Sequence, residues 1–211
     1  MRTDELIAEL AAKPWPPARP PLRIAGAIVG GWIVALAGML MVFGSPMQSV
    51  ALTGAMSFAS KLGYPLALAV LAAAAAIAAG RPGQRLALRA SLIMLPLAVV
   101  AAASATELAF TPSGEWGALF LGTTFWRCLV AVTLASVPIL VAMLWAYRML
   151  APTQLALAGF LAGLSAAAAA ATAYALYCPE TNASFLIGAY TPAMLVPALI
   201  GAIIGPRLLR W

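Results

Sequence analysis

Apolar residues occur along this chain in long runs with few charges, separated by short polar or proline-rich segments. Runs of about 20 apolar residues are what an α-helix needs to cross about 30 Å of hydrocarbon. The pattern predicts six such helices. They cover about Leu22–Gly44, Leu62–Gly80, Arg89–Ala105, Cys128–Leu150, Thr153–Tyr177 and Phe185–Gly205. The third run is the shortest, and the stretch 49–61 is expected to extend the second helix or to lie along the membrane interface.

Composition excludes a water-soluble domain. Hydrophobic residues make up 64% of the 211 positions, charged residues make up 9%, and the mean hydropathy is +0.99. Soluble domains carry about 25% charged residues. The alternation that a membrane β-barrel requires is not visible, so the spans are expected to be helices that satisfy their own backbone hydrogen bonds. The predicted fold class is an all-α polytopic membrane protein.

Lysine and arginine residues predict the orientation, because short loops that remain cytoplasmic are enriched in them. With the N-terminus inside, every lysine and arginine except Lys61 and Arg127 falls on the cytoplasmic side. Both termini are therefore expected to be cytoplasmic. This pattern also accounts for the net charge of +6, so the charge does not indicate direct binding to nucleic acid. Membrane lipid is the expected surrounding partner.

The two cysteines, Cys128 and Cys178, fall at helix ends on the predicted outer face. In a bacterium that face is the periplasm, where disulfides persist. Two interpretations remain open. The cysteines can be small apolar packing residues or a permanent disulfide. Alternatively, they can sense oxidants or soft metal ions as candidate metal ligands, with Arg127 supplying positive charge beside Cys128.

Other catalytic or metal chemistry has little support in the sequence. The chain has no histidine and no C-x-x-C motif, so a tetrahedral zinc site of the common kinds and a thiol oxidase of the usual kind are both excluded. Glu107, Arg127 and Glu180 lie at or near the outer boundary rather than in mid-span, which argues against a transporter or channel, the second interpretation of the chain. Glu107 is either a partly buried partner of Arg127 or an interfacial residue.

Three pairs of glycines have the small-x-x-x-small spacing that lets helices approach closely. They are Gly26/Gly30, Gly159/Gly163 and Gly201/Gly205. Packing within the bundle is the favoured interpretation for all three pairs, and a dimer face is the alternative.

The N-terminal segment 1–21 is predicted to be a cytoplasmic unit distinct from the six-helix domain 22–211. Residues 3–13 have the pattern of a short helix, because Thr3 can cap it and Asp4 and Glu5 favour the positive end of its dipole. Leu6, Ile7 and Leu10 share one face. A helix this short is marginal alone in water, so it needs a partner surface. The proline-rich KPWPPARPP follows as an extended spacer.

Four segments carry a resemblance to a known family. MRTDELIAELA, WRCLVAV, YALYCPETNASF and GPRLLRW occur in this order on a chain predicted to have six spans. The chain resembles the NrsF family of bacterial membrane anti-sigma factors. The resemblance implies a non-enzymatic regulator of the bacterial inner membrane, without a resident cofactor, whose N-terminal segment sequesters an extracytoplasmic-function sigma factor.

The resemblance also implies roles for individual residues. Cys128 and Cys178 would sense metal or oxidative stress, with a soft metal ion bound at most transiently. Apart from the resemblance, the positions of Arg127, Glu107 and Glu180 at the outer boundary predict that they lie near this site. The positions of seven residues on the predicted N-terminal helix make them the expected contacts with the sigma factor: Thr3, Asp4, Glu5, Leu6, Ile7, Glu9 and Leu10.

Overall fold

The computed structural model describes residues 3–12, 20–44, 55–80, 89, 91–148, 150 and 152–210. The helices are α1 Thr3–Ala12, α2 Pro20–Phe43, α3 Ala55–Ala79, α4 Met94–Ala109, α5 Trp116–Leu121, α6 Phe125–Tyr147, α7 Leu155–Tyr174 and α8 Ala183–Leu208. A 3₁₀ turn, Ser113–Glu115, precedes α5, and a π-helical turn, Leu186–Tyr190, lies inside α8. The described residues contain helices and no strands, as the all-α prediction requires.

Among the residues that the structure describes, five segments are long and apolar enough to cross a membrane: Leu22–Phe43, Lys61–Ala79, Ser113–Tyr147, Leu155–Tyr174 and Ala183–Leu208. The predicted third span, Arg89–Ala105, only overlaps α4, which has 16 residues and ends at Ala109. At about 1.5 Å per residue, α4 rises roughly 24 Å, less than the hydrocarbon core. The structure therefore supports five spans and a shorter apolar helix, and the prediction of six is not confirmed.

Two predicted boundaries differ from the observed helices. Helix α3 begins at Ala55, so the part of the stretch 49–61 that the structure describes extends this helix, which was one of the two expectations. Residues 49–54 lie outside the described part. The last two prolines of the predicted spacer form the start of α2. Proline fits there because the first helical residues need no backbone N–H donor. Residues 13–19 of the spacer also lie outside the described part.

Helix α7 is the centre of the bundle. It packs against α8, α3 and α6, and its residues from Leu161 to Tyr174 are all buried. Alanine and glycine dominate this helix, so neighbouring backbones can come close to it on every side. A Cβ atom added at Gly159 or Gly163 would collide with the carbonyl oxygen of Gly201 or Pro197 in α8. The predicted packing role of the Gly159/Gly163 and Gly201/Gly205 pairs is therefore confirmed.

The Gly26/Gly30 pair does not pack, so the prediction of helix packing at this pair is wrong. A Cβ atom at either glycine would meet no other described residue within 4 Å. The close approach in α2 is made by Gly31 instead, where an added Cβ would lie 2.7 Å from the Cα of Ile139 in α6. The buried positions Gly31, Ala35 and Met39 follow one another at helical spacing, and they define the face of α2 that contacts the bundle.

Candidate functional site

One end of the bundle, here called the cysteine end, collects the ends of six helices. It comprises the C-terminal ends of α2, α4 and α7 and the N-terminal ends of α3, α6 and α8. Cys128 lies in the first turn of α6, and Cys178 follows α7. Both side chains are buried, with exposures of 0% and 1%, and both thiols are free. The Thr124 hydroxyl lies 3.8 Å from the Cys178 sulfur.

Lys61 is a buried basic residue that contacts the main chain of Cys178. It is 1% exposed, and its Nζ atom donates a hydrogen bond to the main-chain carbonyl oxygen of Cys178. Its ammonium group lies within electrostatic reach of the thiols of Cys128 and Cys178 and of the Glu180 carboxylate. In the sequence, Lys61 stands out only as one of two basic residues on the predicted outer face. A feature of the sequence could have marked Lys61, because the chain has just two lysines and this one directly precedes an apolar run.

Glu180 stabilises the loop between α7 and α8. Its Oε1 atom accepts hydrogen bonds from the backbone N–H of Thr123, at 3.0 Å, and from the Thr123 hydroxyl, at 2.8 Å. Gly122, just before Thr123, has φ of +52°, and an added Cβ would lie 2.8 Å from the Phe185 ring. Only glycine fits this turn, because other residues disfavour positive φ and the space is filled.

Glu107 caps α8. Its Oε1 accepts a hydrogen bond from the Ala183 N–H at 2.8 Å, and its Oε2 accepts bonds from the Ser184 N–H and hydroxyl, both at 2.9 Å. A carboxylate is favourable there because the first N–H groups of a helix lack partners and carry partial positive charge. Of the two interpretations of Glu107, the pairing with Arg127 is wrong, because its carboxylate binds the start of α8 instead.

Arg127 lies over an aromatic ring. Its Cζ atom is 4.8 Å from the ring centroid of Phe43, the last residue of α2. The same ring packs against Tyr174, at 6.0 Å between centroids, and Tyr177, at 5.7 Å. Burial raises the pKa of the Tyr177 hydroxyl above its ordinary value, and this hydroxyl has no hydrogen-bond partner in the described part of the chain.

Phe43 therefore joins α2 to both cysteine-bearing segments, because Arg127 and Tyr177 are the immediate neighbours of Cys128 and Cys178. Sequence reasoning missed this residue, since a phenylalanine at the end of an apolar run has no distinguishing pattern.

The predicted sigma-binding residues lie on α1, away from the cysteine end in sequence. Thr3 to Ala12 form a helix, as expected, and Thr3, Glu5, Ile7 and Glu9 are exposed. Ile7 is 59% exposed, which leaves an apolar side chain available to a partner. The side chains of Asp4, Leu6 and Leu10 lie outside the described part of the chain.

The described residues contain no group of three or more histidine, cysteine, aspartate or glutamate side chains that could hold a metal ion. What the structure does contain is an all-helical bundle with a buried pair of thiols at one end and a separate helix with an exposed apolar residue. This is the organisation of an all-helical protein with several segments apolar enough to cross a membrane.

The chain belongs to the NrsF family, whose model is described as negative regulator of sigma F and matches residues 10–211. It is 35% identical over 214 residues to the probable anti-sigma-F factor NrsF of Azospira oryzae. It is 34% identical over 222 residues to the anti-sigma-F factor NrsF of Caulobacter vibrioides. Both alignments cover 100% of each chain. No solved structure matches the chain. Membership of this family makes the protein a regulator rather than an enzyme.

Proposed function

We propose that this protein is a membrane-bound anti-sigma factor of the bacterial inner membrane. Its cytoplasmic N-terminal segment sequesters an extracytoplasmic-function sigma factor, and it releases that factor when metal or oxidative stress reaches Cys128 and Cys178 from the periplasm. The family and the full-length relatives support a sigma factor as the partner. The five long apolar segments support the membrane location.

The proposal requires that a change at the cysteines reach α1 through α2. The observation that supports this link is the contact of Phe43 with the neighbours of both cysteines. Arg127 and Tyr177 touch the same ring from α6 and from the segment after α7. A disulfide or a bridging soft metal ion would change the separation of Cys128 and Cys178, and these neighbours would move with them. Since α2 ends at Phe43, such a movement acts directly on the helix whose other end lies nearest in sequence to α1.

Helix α1 supplies the partner surface in this proposal. Leu6, Ile7 and Leu10 can enter an apolar groove, while Asp4, Glu5 and Glu9 can face the basic surface that a promoter-binding protein uses to contact phosphates. A short helix without its own core orders fully only on binding, so its affinity is expected to be moderate. A modest displacement of α2 can then change retention, provided that the signal favours one of two arrangements by its differential free energy.

The experiment compares sigma-dependent transcription and sigma-factor retention by membranes, with and without stress. Leu6→Asp/Leu10→Asp should release the factor and leave transcription on without stress, because truncating an apolar anchor can cost on the order of 2 kcal/mol at a hot spot. Ala8→Asp/Ala12→Asp is the matched control: it adds the same charges at the same spacing on exposed positions of α1. This control should retain the factor.

The sensing part is tested in the same cells by Cys128→Ser/Cys178→Ser. This variant should insert normally and keep transcription off under stress, because neither thiol can react. A normal stress response would assign the cysteines to packing alone. Wild-type retention by the Leu6/Leu10 variant would place the sigma-binding surface elsewhere.

A further inference from the structure

An apolar groove of about 460 Å³ runs between α2 and α6, from the cysteine end toward the middle of both helices. Its walls place residues at one-turn spacing on each helix: Val34, Gly38 and Val42 on α2, and Val130, Leu134 and Pro138 on α6. The valines and Leu134 have exposed side chains. At membrane depth these side chains meet hydrocarbon rather than water. The groove therefore has the surface that an acyl chain requires.

The length of the groove matches one leaflet of a bilayer. From Arg127 to Pro138, α6 rises about 17 Å at about 1.5 Å per residue. From Phe43 back to Val34, α2 rises about 14 Å by the same measure. One leaflet contributes half of the hydrocarbon core, or about 15 Å. A lipid whose headgroup lies at Arg127 would therefore have its chain in the groove as far as the bilayer centre.

Arg127 places a cation at the outer mouth of this groove, where its guanidinium lies over the Phe43 ring. It has no carboxylate partner within the described part of the chain: Glu107 caps α8, and Glu180 binds the loop that precedes α6. The adjacent Trp126 is 73% exposed, and tryptophan is enriched at the level of lipid headgroups. A guanidinium presents a planar fork of N–H donors that fits the oxygens of a phosphate. The mouth of the groove is thus complementary to a phosphate group.

We propose that the groove binds one anionic phospholipid of the phosphatidylglycerol class, with its phosphate on Arg127 and one acyl chain between α2 and α6. Basic side chains between membrane helices bind lipid headgroups in this way. An anionic lipid fits better than a zwitterionic one, because a zwitterionic headgroup brings a second cation to Arg127. The site goes beyond the proposed anti-sigma role and rests on it only for the membrane location. The bound chain would become part of the packing that attaches α2 to α6.

The test is native mass spectrometry of the purified full-length chain in detergent, titrated with phosphatidylglycerol or with phosphatidylcholine of the same acyl chains. We expect the wild type to bind one phosphatidylglycerol about tenfold more tightly than phosphatidylcholine, because only the anionic lipid neutralises the arginine. Glycerol phosphate has the phosphate without the chains and should not compete. This arm separates a lipid site from a site for free phosphate.

The headgroup contact is tested by Arg127→Gln, which should weaken phosphatidylglycerol binding about tenfold through the loss of charge-assisted hydrogen bonds. Arg207→Gln is the matched control. It removes the same charge from an exposed position at the end of α8 farthest from the cysteine end, and it should bind like the wild type.

The chain contact is tested by Gly38→Leu, whose side chain would fill the groove and should abolish binding of the lipid. Gly30→Leu is its control, because Gly30 lies in the same helix but does not line the groove. An added Cβ meets no described residue within 4 Å at either glycine, so both variants are expected to fold. Should Gly38→Leu not fold, Gly38→Val makes the same comparison with a smaller side chain.

Equal affinity for the two lipids, or wild-type binding by Arg127→Gln, would overturn the proposal. So would binding that survives Gly38→Leu, competition by glycerol phosphate alone, or a lipid-free dimer that Gly38→Leu dissociates, since a second copy of the chain would then occupy the groove. The measurement involves neither a sigma factor nor the thiols. Its failure is therefore distinct from failure of the anti-sigma role, which the transcription assay measures.

Discussion

Helices α7 and α2 carry the same small-x-x-x-small spacing and use it differently. Of the most apolar stretch of α7, 78% is buried inside the protein, against 17% for α2. Gly159 and Gly163 of α7 meet the backbone of α8, whereas Gly26 and Gly30 of α2 meet none of the residues that the structure describes. A groove of about 460 Å³ lies between α2 and α6, lined mainly by apolar side chains.

This difference separates a closely packed part of the bundle from a more loosely attached part. Helices in lipid gain little from hiding apolar side chains, so close backbone packing and polar contacts decide which helices stay together. Helices α7 and α8 have that packing along their length. Helix α2 is attached mainly along one face to α6, with the Phe43 ring as its contact with the cysteine end. Of the two, α2 is better suited to transmit a displacement.

The largest expected effect comes from adding one methyl group to the contact between α7 and α8. Gly163→Ala would push a Cβ against the Pro197 carbonyl and to 2.7 Å from the Ala198 Cα. Because backbone cannot yield as a flexible side chain does, we expect a loss of about 3 kcal/mol in the free energy of unfolding, the upper end of typical overpacking costs. Thermal unfolding of the purified protein in detergent measures this effect.

Gly30→Ala is the control for that substitution. It makes the same chemical change in a helix where the added atom meets nothing, and alanine is the better helix former. Its unfolding temperature should be unchanged or slightly higher. Equal losses for Gly30→Ala and Gly163→Ala would remove the distinction between the two helices.

The second substitution tests whether α2 is coupled to the cysteine end through one ring. Phe43→Ala removes two aromatic contacts and the contact with Arg127. Such contacts contribute about 0.5–1.5 kcal/mol each. We therefore expect the interaction free energy between the end of α2 and the cysteine end to fall by about 2 kcal/mol. Stress-induced transcription should fall or become independent of the cysteines, while the protein remains in the membrane.

Phe110→Ala serves as the comparison, because Phe110 follows α4 and is 91% exposed. It should leave the stress response intact. A Phe43→Ala protein that responds like the wild type would show that the signal reaches α1 by another route.

The sequence predicted what depends on composition and missed what depends on which residues meet. Long apolar runs were enough to predict five of the six expected spans, because a segment must be about 20 apolar residues long to cross the hydrocarbon core. The glycine spacing could not reveal that α2 uses Gly31, because spacing does not say which face of a helix meets a neighbour. Glu107 was expected near the cysteines, but its cap on α8 depends on a contact across 76 positions.

The contacts of Lys61 and Phe43 depended on the fold in the same way. Lys61 fitted the charge rule for loops so well that its burial could not be inferred, and Phe43 had no polar pattern to mark it. The family model begins at residue 10, so most of α1 lies outside the matched region although the two relatives align over the whole chain. The sigma-binding residues on α1 therefore stay a prediction.

The smallest expected effect concerns the polar attachment at the start of α8, which adds to the glycine packing that distinguishes α7 and α8 from α2. Glu107→Gln keeps the shape of the side chain but turns one of its two acceptor oxygens into an NH₂ group. That group would face the N–H of Ala183 or Ser184, a donor against a donor. We expect a loss of about 1 kcal/mol in the free energy of unfolding, as for other helix caps. Hydrogen exchange should rise at the first turn of α8 and stay unchanged in α2.

Glu115→Gln is the control, because Glu115 is an exposed acid after α4 and its backbone N–H, rather than its side chain, makes the local hydrogen bond. If both variants unfold alike, the carboxylate of Glu107 adds nothing to the close packing of α7 with α8, and the glycines alone account for the difference from α2.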